Sequence, residues 1–155
     1  MKALTLTQPW ATLVAIGAKR IETRSWSTKY RGPLAIHAAK GFPKWAREFT
    51  MKPVCYQAVK GHGIGSPDGY PTGVVLATCD LVDCLPTEAT CCIPGVFDDF
   101  PELNTPLERE FGDYSAGRYG WVLENVRQLQ VPVPAKGSLG LWEWGGGALS
   151  ERGDK

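Results

Sequence analysis

Between Lys2 and Lys40 the spacing of apolar and polar residues changes several times, and each change marks a different element. Lys2 to Leu6 reads as a short strand. Thr7 or Gln8 then stands where a helix cap would, with Pro9 in the first turn, where a missing N–H costs little. Trp10, Leu13 and Val14 share one helical face at i, i+3, i+4 spacing, and Gly17 is placed to end that helix in a left-handed conformation. From Lys19 to Trp26 the period becomes two. A strand there puts Arg20, Glu22, Arg24 and Trp26 on one face and Lys19, Ile21 and Thr23 on the other. Charge this dense predicts a strand turned away from the core. Tyr30-Arg31-Gly32-Pro33 is a turn signal, and Leu34 to Ala38 follows as a small, apolar strand suited to burial on both sides.

Pro43 to Thr50 predicts a second helix, with Trp45 and Phe49 at i, i+4 on one face. Gly61 to Gly73 holds five Gly and two Pro in thirteen residues and predicts a loop. Strand character returns from Thr72 to Val82, while residues 83–117 are acidic, Pro-containing and weakly patterned, an irregular excursion with one short helix. Tyr119 to Leu129 is a further strand, and Val131-Pro132-Val133-Pro134 must be an edge or an extended segment because Pro cannot donate to a ladder. Gly140 to Trp144 predicts a last strand, and the Gly-rich then charged segment 145–155 predicts a flexible tail. The expected fold class is therefore α+β, mainly β. It is a small barrel of about six strands with two or three flanking helices, in one domain over residues 1–144.

Composition fits this picture. With 43% hydrophobic residues and six Trp in 155 residues, the chain can bury enough surface to offset its ordering entropy. No apolar run approaches the ~18 residues a membrane span needs, and the first residues lack the apolar core of a secretory signal, so a cytoplasmic protein without membrane association is expected. Five irregularly spaced Cys argue for reduced thiols, and Cys79, Cys84, Cys91 and Cys92 lack the paired spacing of a zinc site. Neither a metal nor a cofactor is expected. The net charge of +1 hides an asymmetry. Residues 1–60 carry eleven Lys or Arg against two acidic side chains, a net +9, and the remaining 95 residues net −8. Either a basic face meets phosphates, or folding brings the two parts together and the charges largely cancel.

Gln8-Pro9-Trp10-Ala11, Gly17-Ala18-Lys19, Glu22, Arg24, Trp26, Arg31-Gly32 and Ile36-His37-Ala38 together resemble the signature of the ASCH family. So does the later series Gly117-Arg118-Tyr119, Trp121, Leu123, Asn125 and Gly137 to Trp142. The resemblance covers most of the chain from Lys2 to Trp142, with residues 41–72 and 83–112 as less typical insertions. It implies a PUA-like β-barrel with a cleft between the sheet and the first helix, in a superfamily whose members bind RNA or modified bases. It also implies that Arg118 lies near that cleft. Some small ASCH proteins hydrolyse N4-acetylcytidine with a Lys, a Thr and a Glu. Lys19 matches the Lys, but Glu22 stands where the nucleophilic Thr would be. A carboxylate attacking an amide would give a mixed anhydride in place of an ester, which argues against that mechanism.

The residues themselves favour binding. Lys19, Arg24 and Arg31 can hold phosphate, Trp10 or Trp26 can stack a base, and Glu22 and Gln8 can read a base edge. His37 and Lys40, in and beyond the apolar strand, complete the candidate surface. Each has a structural alternative: Glu22 in an ion-pair network with its basic neighbours, the two Trp as packing, and His37 as a satisfied buried imidazole. Three functions compete. The first is a nucleic-acid-binding module for RNA or a modified nucleotide, with DNA also open. The second is a hydrolase of a modified nucleoside or of RNA using Lys19 and Glu22. The third is a protein-interaction domain whose insertions form the contact surface.

Overall fold

The computed structural model describes residues 1–146. Six strands are present there: β1 (Lys2–Leu6), β2 (Ile21–Arg24), β3 (Gly32–Ala38), β4 (Val74–Pro86), β5 (Tyr119–Pro134) and β6 (Leu141–Glu143). Five short helices accompany them: α1 (Trp10–Ala15), α2 (Lys44–Thr50), α3 (Pro53–Val59), α4 (Val96–Asp99) and α5 (Pro106–Glu110). The strands form one sheet in the order β2-β5-β4-β3-β1-β6, with β1 and β3 parallel and the other pairs antiparallel. Register shifts at three places between β4 and β5 and one between β3 and β4 bend the ladder, as bulges do. The result is a curled, mainly β sheet with flanking helices, consistent with a PUA-like barrel.

The sequence patterns explain these elements. β3 is buried from Leu34 to Ala38 because it runs between β1 and β4 and is covered by α1, whose Ala11 and Val14 pack with Leu4, Leu6, Leu34, Ile36 and Trp121. Gly17 follows α1 at φ +79°, a conformation glycine adopts without a Cβ penalty. β2 covers only Tyr119–Val122 of β5, so among the described residues the far end of β5 has no strand on its outer side and accommodates Pro132 and Pro134.

Two expectations change. Five helices stand where two or three were expected. Pro53 opens α3 at a position that needs no intrahelical N–H, and residues 83–117 hold α4, a 3₁₀ turn over Pro101–Leu103 and α5. β2 does not turn away from the core, since Ile21, Glu22 and Thr23 are all buried. The insertions are integral: Cys55, Val59, Tyr70 and Phe111 pack around Leu13 of α1, while Val96 and Leu103 pack on Ile21 and Val122. Most of the expected tail, residues 147–155, lies outside the described residues. No described helix is long and apolar enough to cross a membrane.

Candidate functional site

The end of β1, the start of α1, β2, α2 and residues 110–113 surround a cleft of about 590 Å³. One wall is aromatic. The Trp10 ring lies 4.9 Å from Phe49 and 5.6 Å from Trp45 between centroids. Trp45 is 62% exposed, so much of its indole stays open to a ligand. Trp26 lines the cleft from β2's end, with its ring edge-on to Trp121 at 4.7 Å, and its carbonyl accepts from Trp121 Nε1 at 3.2 Å.

The opposite wall is charged, and β2 organises it. Glu22 lines the cleft, 3.6 Å from Arg24 Nε and 3.9 Å from Lys19 Nζ, and its Oε2 has no hydrogen-bond partner within the described residues. Lys19 lies behind it, 1% exposed, donating to the carbonyl of Ile21. Burial pushes the Lys19 ammonium below its usual range, with Arg24 adding to the effect and Glu22 and then Glu108 opposing it. Arg24 donates to the Thr5 carbonyl at 2.7 Å, which fixes the guanidinium between β1 and β2. Arg118 donates to the carbonyls of Asp113 and Thr23 at 3.1 and 3.2 Å. Hydrogen bonds from Ser115, and then the nearby Arg118, hold Asp113 below its ordinary carboxylate range.

Glu108 holds this wall in place. Its buried carboxylate accepts from the backbone N–H of Arg20 at 3.0 and 3.1 Å and of Ile21 at 2.8 Å, so the last turn of the 83–112 insertion ties down the start of β2.

A second, larger cavity of about 1190 Å³ adjoins the first, and the two share Thr5, Thr7 and Arg24. Lys40, His37 and Lys136 also line it, and among the described residues no carboxylate does. His37 is satisfied internally. The Ala135 carbonyl, 2.9 Å away, can only accept, so Nε2 carries a hydrogen, and in the neutral ring Nδ1 accepts from the Thr5 hydroxyl at 3.1 Å. Trp142 Nε1 donates to that same hydroxyl at 3.0 Å.

The structure thus brings Trp10, Glu22, Arg24, Trp26 and Arg118 to one cleft, and Arg24, His37 and Lys40 to the neighbouring one. Three expected contacts lie elsewhere. Lys19 is sealed behind Glu22. Gln8 is fully buried, with Oε1 accepting from Thr12 N at 3.0 Å and Nε2 donating to the Pro71 carbonyl at 2.7 Å, so it satisfies an early N–H of α1 and tethers the 61–73 loop. Arg31 lines neither cavity and pairs with Asp83 at 3.2 Å. Sequence reading missed Trp45 and Lys136 as site residues and Glu108 as a support. Glu108 had a signal, since Thr105-Pro106-Leu107-Glu108 is a helix-start pattern and Thr105 does cap α5 by accepting from Glu108 N at 3.1 Å. Trp45 and Lys136 had none, because only the fold brings their segments to β1 and β2.

Comparison with known proteins identifies the family. The ASCH domain matches residues 4–132. Activating signal cointegrator 1 from Mus musculus is 31% identical over 140 residues, and the Homo sapiens protein of that name is 30% identical over 140 residues. Each alignment covers 90% of this chain but 22% of the relative, so the chain spans about a fifth of the length of these curated relatives. With a domain match over more than half its length, this chain belongs to the ASCH domain family.

Proposed function

We propose that this protein is a nucleic-acid-binding module that takes an RNA base or a modified nucleotide into the aromatic cleft between α1 and β2. One observation carries the reading: an open indole, Trp45, and the carboxylate-bearing Glu22 line the same cleft beside Arg24 and Arg118. An indole face offers stacking worth about 1–3 kcal/mol per base, and a carboxylate accepts from an exocyclic amine. Arg24 and Arg118 supply donors for sugar or phosphate oxygens at the rim. The chemistry favours an amine-bearing base such as cytosine or adenine over uracil, which presents no exocyclic donor to Glu22.

Fluorescence anisotropy with labelled single-stranded RNA at low salt tests this directly. Association that weakens on Trp45→Ala and on Arg24→Ala supports it. No association with any single-stranded RNA, with a duplex or with DNA removes it.

One observation favours a second reading, hydrolysis of an N4-acylcytidine. Lys19 is a buried amine of lowered pKa 3.9 Å from a carboxylate that reaches the cleft. Glu22 would take a proton from water as it adds to the amide carbonyl and would return it to the departing N4 amine, yielding cytidine and a carboxylate. Lys19 does not line the cleft, so it would act on Glu22 and not on substrate. Release of cytidine from N4-acetylcytidine, abolished by Glu22→Gln, is the outcome this reading requires.

A further inference from the structure

The second cavity has a different chemistry from the first. The aromatic cleft sets Glu22, Glu110 and Asp113 beside Arg24 and Arg118, so its charges are mixed; the adjoining cavity is lined by Arg24, Lys40 and Lys136 with no carboxylate among the described residues. Elsewhere the chain neutralises many of its cations: Lys2 pairs with Glu143, Arg20 with Glu124, Arg31 with Asp83 and Arg47 with Asp68. Lys40 and Lys136 are exposed and have no acidic partner among the described residues.

The loop that carries Lys136 is pinned to the sheet. Ala135 N donates to the Gly73 carbonyl at 3.1 Å, His37 Nε2 donates to the Ala135 carbonyl, and Gly137 lies so close to β1 and β3 that a Cβ there would stand 2.7 Å from both His37 Cε1 and Thr5 Oγ1. Lys136 is therefore held beside the cavity by backbone constraints. At about 1190 Å³ this cavity exceeds the ~300–1000 Å³ of ordinary small-molecule sites, and it adjoins the aromatic cleft at Thr5, Thr7 and Arg24, which line both.

We infer that the ligand is a single-stranded polynucleotide, not a free nucleotide: one base enters the aromatic cleft, the chain crosses Arg24, and Lys40 and Lys136 hold the neighbouring phosphodiesters in the basic cavity. The inference rests on the base-binding reading of the cleft and extends it to the ligand's length. Arg24, common to both cavities, sits where base recognition passes into backbone contact.

The test compares a mixed-sequence RNA of about ten nucleotides with cytidine and adenosine monophosphates, for wild type, the double variant Lys40→Glu/Lys136→Glu, and the charge-matched control Lys29→Glu/Lys60→Glu. Lys29 and Lys60 are exposed and line neither cavity, so their double variant reports the effect of net charge alone. Wild type should bind the oligonucleotide at least about tenfold more tightly than either mononucleotide. Its salt slope, log K against log salt, should shrink by about 0.7 for each of the two lysines removed and hardly change in the control. Mononucleotide binding should be nearly the same in the double variant.

Equal affinity for mononucleotide and oligonucleotide overturns the inference and leaves base binding standing. So does a double variant no weaker on the oligonucleotide than the control. If wild type binds neither ligand, the cleft reading fails and this inference with it.

Discussion

Lys19 and Glu108 carry two opposite solutions to burying charge. Glu108 is satisfied by three contacts from two backbone N–H groups, whereas Lys19 has one carbonyl and a carboxylate at 3.9 Å. Glu108→Ala should therefore cost about 1–3 kcal/mol in urea unfolding, because it strands buried donors on Arg20 and Ile21. Lys19 should leave a pH signature. Its pKa is lowered in the folded protein and stands near 10.5 unfolded, so between those values the unfolded state binds more protons and stability rises with pH. Wild-type stability relative to Lys19→Met should accordingly increase as pH rises toward 10.5. A flat or falling difference would mean that the buried ammonium is better solvated by its partners than its surroundings indicate.

α2 shows how an element can serve the site without serving the core. Its Ala46 and Thr50 are buried while Trp45 faces outward. Trp45→Ala should therefore change stability by about 1 kcal/mol or less and weaken RNA binding by about 1–3 kcal/mol. Gly137→Ala should do the reverse of a surface change, costing about 1–3 kcal/mol because its Cβ must displace His37 or Thr5. The strands were largely legible because period and turn chemistry are local: Lys2 to Leu6 matches β1 residue for residue, and the prolines of 131–134 marked the one-sided end of β5. The helices of 83–112 were not, since each is five residues or fewer and too short for periodicity to register. β2 misled for a physical reason. Alternating charges predict a solvated face unless partners are supplied from a distance, and here Arg24 finds the Thr5 carbonyl and Arg20 finds Glu124, on strands remote in sequence.

Across the whole molecule, the charge asymmetry resolves into both of its alternatives. Lys2, Arg20, Arg31 and Arg47 pair with acidic residues from later in the chain, so much of the N-terminal excess cancels on folding. Arg24 and Lys40 remain at the cavities, which is why the basic character was readable but its location was not. The same folding sorts the thiols. Burial pushes Cys79 up to about 12, and Cys55 is also buried, whereas Cys91 and Cys92 are exposed. Alkylation at about pH 8 should modify Cys91 and Cys92 rapidly and reach Cys79 only on unfolding, as read by mass spectrometry.

The central claim is that a base enters between Trp45, Trp10 and Trp26. The chain has six Trp, and Trp144 is buried in a separate cluster with Ala3, Ala35 and Val75, so it serves as an internal reference. Titrating single-stranded RNA into isotopically labelled protein and following the indole N–H resonances tests the claim most directly. The account predicts shifts at Trp10, Trp26 and Trp45 with Trp144 unmoved. Saturable RNA binding that leaves those three indoles unchanged would contradict it.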